Sequence, residues 1–249
     1  MNPLLDFSGL PMFAEIRPAH VGPAVERLLA DARGAVAHAL QPEVPALWEA
    51  FVTPLEDANE RLGRAWGQVS HLHAVLDSPE LREAYNASLP KVTQYWTELG
   101  QNQALFEKYR ALRASAGFEA SSAARKRIVE NALRDFRLGG AELAQEEKRR
   151  FAEIQEELAS LSARFSENVL DATNAFVLIL EDRRRVAGIP ADELAAAREA
   201  AQKEGKQGWK FTLHAPSYVP LMQYAAERSL RETMYRASFT RASEFGKPE

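Results

Sequence analysis

The sequence predicts a mainly α protein: a multi-helix array with long antiparallel helices, plus a small two-stranded β element near residues 175–181 and 208–214. Three observations carry this. Apolar residues recur three and four positions apart along most of the chain, as one buried helical face requires. Capping residues, prolines and glycines interrupt that pattern at intervals of helix length. Only two short stretches read as strand.

After an arm containing Pro3, Pro11 and Pro18, the residues Val21, Val25, Leu28, Ala32, Val36 and Leu40 mark one face of a first helix. Pro42 and Pro45 stop it, because proline lacks an N–H and clashes with the preceding turn. A short segment at Leu47–Val52 follows. Thr53-Pro54-Leu55-Glu56 then reads as a helix start, with Thr53 as cap, Pro54 where a missing N–H costs nothing, and Glu56 returning the capping bond. Leu55, Ala58, Leu62, Ala65 and Val69 continue this helix toward His71 and His73. Ser78-Pro79-Glu80 opens the next, expected to run through Val92, Trp96 and Leu99 to Phe106 and Tyr109 with a bend near Pro90. Ser121 or Ser122 begins a further helix, closed by Gly139-Gly140.

Phe151, Ile154, Leu158, Leu161 and Phe165 give the strongest periodic signal, while Glu153, Gln155, Glu156 and Glu157 line the other side. A long helix packed lengthwise on a neighbour, or a short antiparallel coiled coil, is expected there. Ala175–Leu180 is a continuous apolar run of strand length, and Trp209–His214 alternates with period two. The two strands are expected to pair, with the Ala-rich helix between Pro190 and Gly205 as an excursion between them. Two helices finish the chain, one from Pro216 and one from a capping box at Ser229–Glu232, before a turn-like Glu244–Glu249. One continuous unit over 1–249 is expected.

At 249 residues the chain can bury a substantial core. Its 31 basic and 35 acidic side chains leave a net charge of −4, which argues against a general nucleic-acid binder. The absence of cysteine excludes disulfides, thiolate catalysis and Cys-ligated zinc, and fits a reducing cytoplasm. The first residues lack the basic and apolar regions of a secretion signal, and the run Ala175–Leu180 is far too short to span a bilayer. A soluble, cytoplasmic protein without membrane partners is expected.

No residue set here carries catalytic chemistry, so no catalytic or metal residue is assigned and substrate-binding residues stay unknown. His71 and His73, two apart, point roughly 200° apart on a helix and cannot share one metal; one solvated and one partly buried imidazole is the simpler reading. His20, His38 and His214 have no ligand-like neighbours. His-Glu-x-x-His is absent, as are the Gly-x-Ser-x-Gly elbow and a Gly-rich phosphate loop after a strand. Arg183-Arg184-Arg185 reads as a solvated turn and the glutamates of residues 142–157 as the wet face of a helix. Trp48, Trp66, Trp96 and Trp209 are scattered, as packing residues rather than an aromatic cage.

Several ordered stretches go beyond generic helix. Asn2-Pro3-Leu4-Leu5 and the Leu10–Val21 run (Leu-Pro-Met-Phe-Ala-Glu-Ile-Arg-Pro-Ala-His-Val) resemble the start of bacterial members of the thimet oligopeptidase family of zinc metallopeptidases. The resemblance continues at Val69–Leu72, Ser78–Tyr85, Asn131–Phe136, Asn168–Thr173, Pro216–Met222, Met234–Ala237 and Thr240–Ser243. It implies a helical, two-lobed enzyme that cuts short peptides within a deep, narrow channel. It also implies zinc held by a His-Glu-x-x-His helix and a downstream glutamate in the C-terminal part. None of those positions exists in this sequence, so no zinc is expected in this chain. It is expected to be the catalytically silent N-terminal portion of such a peptidase, forming one channel wall that restricts substrate size. Its partners would be short peptides and the C-terminal catalytic lobe. A stand-alone helical scaffold or adaptor that binds a protein partner is the alternative. If a second lobe is missing, an apolar patch should be exposed.

Overall fold

The computed structural model describes residues 2–243; the turn-like stretch at Glu244–Glu249 lies outside them. The chain forms two compact units, Met1–Ser160 and Leu161–Glu249. Ten α-helices and one two-stranded antiparallel sheet are present among the described residues, so the mainly α fold is as the periodicity indicates.

In the first unit, α1 (Pro18–Ala39), α2 (Thr53–Val75) and α3 (Pro79–Gly100) lie against one another. The three-residue link between α2 and α3 makes them antiparallel neighbours. Their shared core holds Val21, Val25, Leu28, Leu62, Val69, Val92 and Tyr95, and Leu4 of the N-terminal arm is fully buried against it. A second core is built on Phe51, Leu55, Leu105, Phe106, Tyr109, Val129 and Phe136. It joins the entry to α2 with α4 (Gln103–Arg113), the single turn α5 (Ala116–Glu119) and α6 (Ala123–Leu138).

Two local starts in this unit differ from the sequence reading. Trp48–Val52 is already helical and runs directly into α2, so the Thr53 N–H bonds back to the Trp48 carbonyl and no capping box forms at Thr53. With no exposed N–H to cap, Glu56 is free to point elsewhere. The single helix expected over Ser78–Tyr109 is two. Ser78 caps α3 as expected, accepting from the Leu81 N–H, but the helix ends at Gly100 and Asn102 caps α4 by accepting from the Leu105 N–H at 2.9 Å. Pro90 sits inside α3 without ending it. Ser122, rather than Ser121, caps α6. That helix closes as expected: Gly140 takes φ +94°, and the Ala141 N–H returns to the Phe136 carbonyl at 2.9 Å.

The long α7 (Gln145–Ala175) runs from the first unit into the second, and Thr173 is its one buried residue among those described. Ile154, Leu158, Leu161 and Phe165 are 39, 53, 51 and 58% exposed. The stripe is thus only partly covered, less than lengthwise packing on a neighbour would give.

The second unit pairs β1 (Leu178–Leu180) with β2 (Trp209–Phe211) in the register Leu178 to Phe211, Ile179 to Lys210 and Leu180 to Trp209. The strands are shorter than the expected stretches because α7 extends through Ala175. α8 (Ala191–Lys203) is the expected excursion between them. With α9 (Ala215–Tyr224) and α10 (Arg228–Phe239), the sheet encloses Leu180, Val186, Trp209, Phe211, Leu221, Leu230 and Met234. The capping box expected at Ser229 does not form. The cap position lies two residues earlier, at Glu227, and the Ser229 hydroxyl instead donates to the Glu227 carboxylate at 2.6 Å.

Candidate functional site

The first unit holds a crevice of about 580 Å³ between the faces of α2, α3, α4 and α6. Helical spacing places Leu55, Glu56, Asn59 and Glu60 on its α2 wall, with Trp96 and Leu99 from α3, Leu105 and Tyr109 from α4, and Asp135 and Phe136 from α6. Two tyrosines tie the wall together. The buried Tyr95 hydroxyl donates to Asn59 Oδ1 at 2.5 Å, and the Tyr109 hydroxyl donates to Glu56 Oε1 at 3.2 Å.

Burial pushes the Tyr95 phenol up to about 12, with Arg33 opposing and Glu56 adding to the rise. Burial, then the Glu56 charge and hydrogen bond, push Tyr109 up as well. Glu56 itself rises above its ordinary value through desolvation, although the residue as a whole is exposed, and the Tyr109 bond partly offsets this. The crevice thus sets a carboxyl raised above its ordinary value beside two phenols that do not ionise near neutrality. It can accept an apolar or hydrogen-bonding group.

The second unit holds a groove of about 790 Å³ between the end of α7 and α10, with Ala172, Ala175, Phe176, Leu213 and Ala237 as its apolar part. Asn168, Asp171, Thr233, Arg236 and Arg241 supply the polar part. Arg241 donates to the Thr173 hydroxyl at 2.8 Å, and that hydroxyl donates to the Val169 carbonyl at 2.7 Å. Arg236 pairs with Glu232 one turn away. The polar groups hold the wall in place and leave an apolar slot.

The histidines fall as their spacing indicates. His71 is exposed, with its ring centre 5.3 Å from that of Phe13. His73 is partly buried, stacked on Tyr85 at 4.2 Å, and Tyr85 stacks in turn on Trp66 at 4.7 Å. The His73 Nε2 lies 3.7 Å from Asp77 Oδ1, and the other Asp77 oxygen takes the Arg82 guanidinium at 2.5 Å. Sequence spacing does not suggest this column, because Tyr85 and Trp66 reach it from different helices. His20 Nδ1 accepts from the Arg17 N–H, and His38 bonds Gln41. Arg184 and Arg185 are exposed and paired with Asp182 and Glu227, as a solvated turn would have them. The Arg184 hydrogen bonds and charge hold Asp182 down at about 2. No group of three or more His, Asp or Glu able to hold a metal occurs among the described residues, so the residues present do not fit a zinc ion.

Comparison with known proteins adds what the geometry lacks. Residues 25–148 match the model of the neurolysin/thimet oligopeptidase N-terminal domain. Over 246 residues, 98% of this chain, it is 47% identical to oligopeptidase A of Haemophilus influenzae. It is 43% identical over 245 residues to oligopeptidase A of Escherichia coli, and 37% identical over 249 residues to a probable cytosolic oligopeptidase A of Arabidopsis thaliana. The chain spans about 36% of the length of the two bacterial relatives and 35% of the plant one. An identity this high, over nearly the whole of the chain, places it in the neurolysin/thimet oligopeptidase family, as an N-terminal part of an oligopeptidase A-like protein.

Proposed function

We propose that this chain is the non-catalytic N-terminal portion, acting as one piece over 1–249, of a zinc-dependent metalloendopeptidase that hydrolyses short peptides. The observation that carries this reading is a match over nearly all of this chain beside coverage of only about 36% of each bacterial relative. A peptidase of this kind needs a metal, a general base and a site for the scissile carbonyl. In this reading all three lie in the C-terminal part, on a His-Glu-x-x-His helix and a downstream glutamate. The residues here would build one wall of a narrow channel, so that only short, unfolded peptides pass. Concave, partly apolar surfaces such as the α2–α6 crevice and the α7–α10 groove suit such a wall. The partners are then short peptides and the C-terminal catalytic lobe, with neither nucleic acid nor membrane involved. No described helix is long and apolar enough to cross a membrane, and similarity to a probable cytosolic oligopeptidase A of Arabidopsis thaliana supports a cytoplasmic setting.

The test compares this chain with the product of a longer reading frame on a quenched short peptide, with and without a chelator. The longer product should cleave in a chelator-sensitive way, and the 249-residue chain should not cleave at all. Chelator-sensitive cleavage by the short chain would overturn the non-catalytic assignment. A longer frame lacking His-Glu-x-x-His would overturn the peptidase reading.

A further inference from the structure

The crevice between α2, α3, α4 and α6 lies wholly within the first unit. Glu56, Glu60 and Asp135 line it, and no described lysine, arginine or histidine does. Glu60 and Asp135 are already paired at the surface, with Arg64 at 3.1 Å and Arg134 at 2.8 Å. Glu56 pairs with no described cation. The Tyr109 hydroxyl takes its Oε1, and no described group hydrogen-bonds its other oxygen.

Asn59, one turn along the same face of α2, supplies an independent observation. It is only 8% exposed, its Oδ1 is taken by the Tyr95 hydroxyl, and its amide nitrogen donates to no described group. That nitrogen is not sealed in protein either, so it faces the crevice that the residue lines. Native proteins rarely bury a donor this deeply unless water or a ligand answers it.

Together these groups describe a ligand. The open Glu56 oxygen calls for a cationic donor, and the Asn59 N–H calls for an acceptor close beside it, since positions three apart on a helix stand about 5–6 Å from each other. Leu99, Leu105 and Phe136 give apolar walls, and the partly exposed Trp96 offers a ring that attracts both an apolar body and a positive charge. A volume of about 580 Å³ suits a small molecule, and the carboxylates disfavour an anion. The raised pKa of Glu56 agrees, because desolvation without a neighbouring cation is what raises it.

We propose that this crevice is a binding site for an apolar α-amino amide, whose ammonium group pairs with Glu56, whose carbonyl accepts from Asn59 and whose side chain lies among Trp96, Leu99, Leu105 and Phe136. The inference goes beyond the peptidase reading and rests on the first unit alone, so each can fail without the other.

An NMR titration of the 249-residue chain with phenylalaninamide tests it. The Asn59 side-chain amide and Trp96 indole signals should shift together and saturate, with a Kd of about 1 mM or tighter. Hydrocinnamate, an anion of similar size, should bind at least about tenfold more weakly. Glu56→Gln, at an exposed position, should weaken phenylalaninamide about tenfold and leave the uncharged N-acetylphenylalaninamide unaffected, with helicity as the folding control. Trp96→Ala, also exposed, should weaken both amides. Equal binding of the tripeptide Phe-Gly-Gly would name a peptide N-terminus as the ligand, and its exclusion a free amide; either supports the site. The absence of saturable shifts at Asn59 and Trp96 overturns the proposal, as does hydrocinnamate binding as tightly as the amine. Normal phenylalaninamide binding by Glu56→Gln overturns the ion pair on which it depends.

Discussion

Glu56 shows how a residue's chemistry follows from the company it keeps. On α2 it occupies a position where the sequence suggests a capping role, but the helical turn before Thr53 removes the N–H group it would serve. Its carboxyl instead enters the crevice and meets the Tyr109 hydroxyl. Desolvation raises its pKa above the ordinary 4.5. A folded-state value above the unfolded one means protonation favours the fold; that stabilisation is full below the unfolded value and is lost as pH rises through the folded one. Replacing Glu56 with Gln should therefore raise Tm at about pH 7–8, and the gain should shrink as pH falls toward about 4. Thermal melts of both proteins across that range check this, and a gain that grows in acid would contradict the assignment.

At the scale of elements, boundaries are set by single side chains. Asn102 divides what periodicity alone presents as one long helix, because its side chain accepts from the Leu105 N–H and so starts α4 anew. Asn102→Ala should cost about 0.5–2 kcal/mol in chemical denaturation, the usual loss when a helix cap is removed. In the second unit, Gly208 precedes β2 at φ +88°, and a Cβ there would lie 2.2 Å from the Leu180 carbonyl oxygen. Gly208→Ala should destabilise the protein by about 1–3 kcal/mol or more, because the new methyl meets rigid backbone in a conformation that L residues resist. The same denaturation measurement decides it, and an unchanged midpoint would show that the strand pair relaxes freely.

For the whole molecule the decisive property is what its residues do not bring together. Partly buried histidine and carboxylate meet at His73 and Asp77, but the second Asp77 oxygen is taken by Arg82, and no described third ligand completes a metal set. A ligand that binds only the folded state raises Tm by mass action. Millimolar zinc against a chelator should therefore leave Tm of the 249-residue chain unchanged. An upward shift of several degrees would reveal a metal site that the proposed division of labour does not contain.

Much of the fold was readable in advance, because helix and strand periods, the Ser78 cap, the Gly139-Gly140 stop and the two short strands are matters of neighbouring residues. The boundaries at Thr53, Asn102 and Ser229 were harder, since a cap depends on whether the preceding turn is already hydrogen-bonded. The crevice was not readable at all. It gathers Glu56, Trp96, Tyr109 and Phe136 from four separate helices, and the raised pKa values of Glu56 and Tyr109 arise only once α2, α3, α4 and α6 have packed. By itself the sequence determined the mainly α architecture, the lack of a metal-binding motif and the family resemblance, all of which reside in local order and residue identity. Only the tertiary structure decided which apolar faces are covered. The stripe on α7 reads as buried from its spacing, yet Ile154, Leu158, Leu161 and Phe165 stay 39 to 58% exposed, because burial requires a second surface that local spacing does not specify.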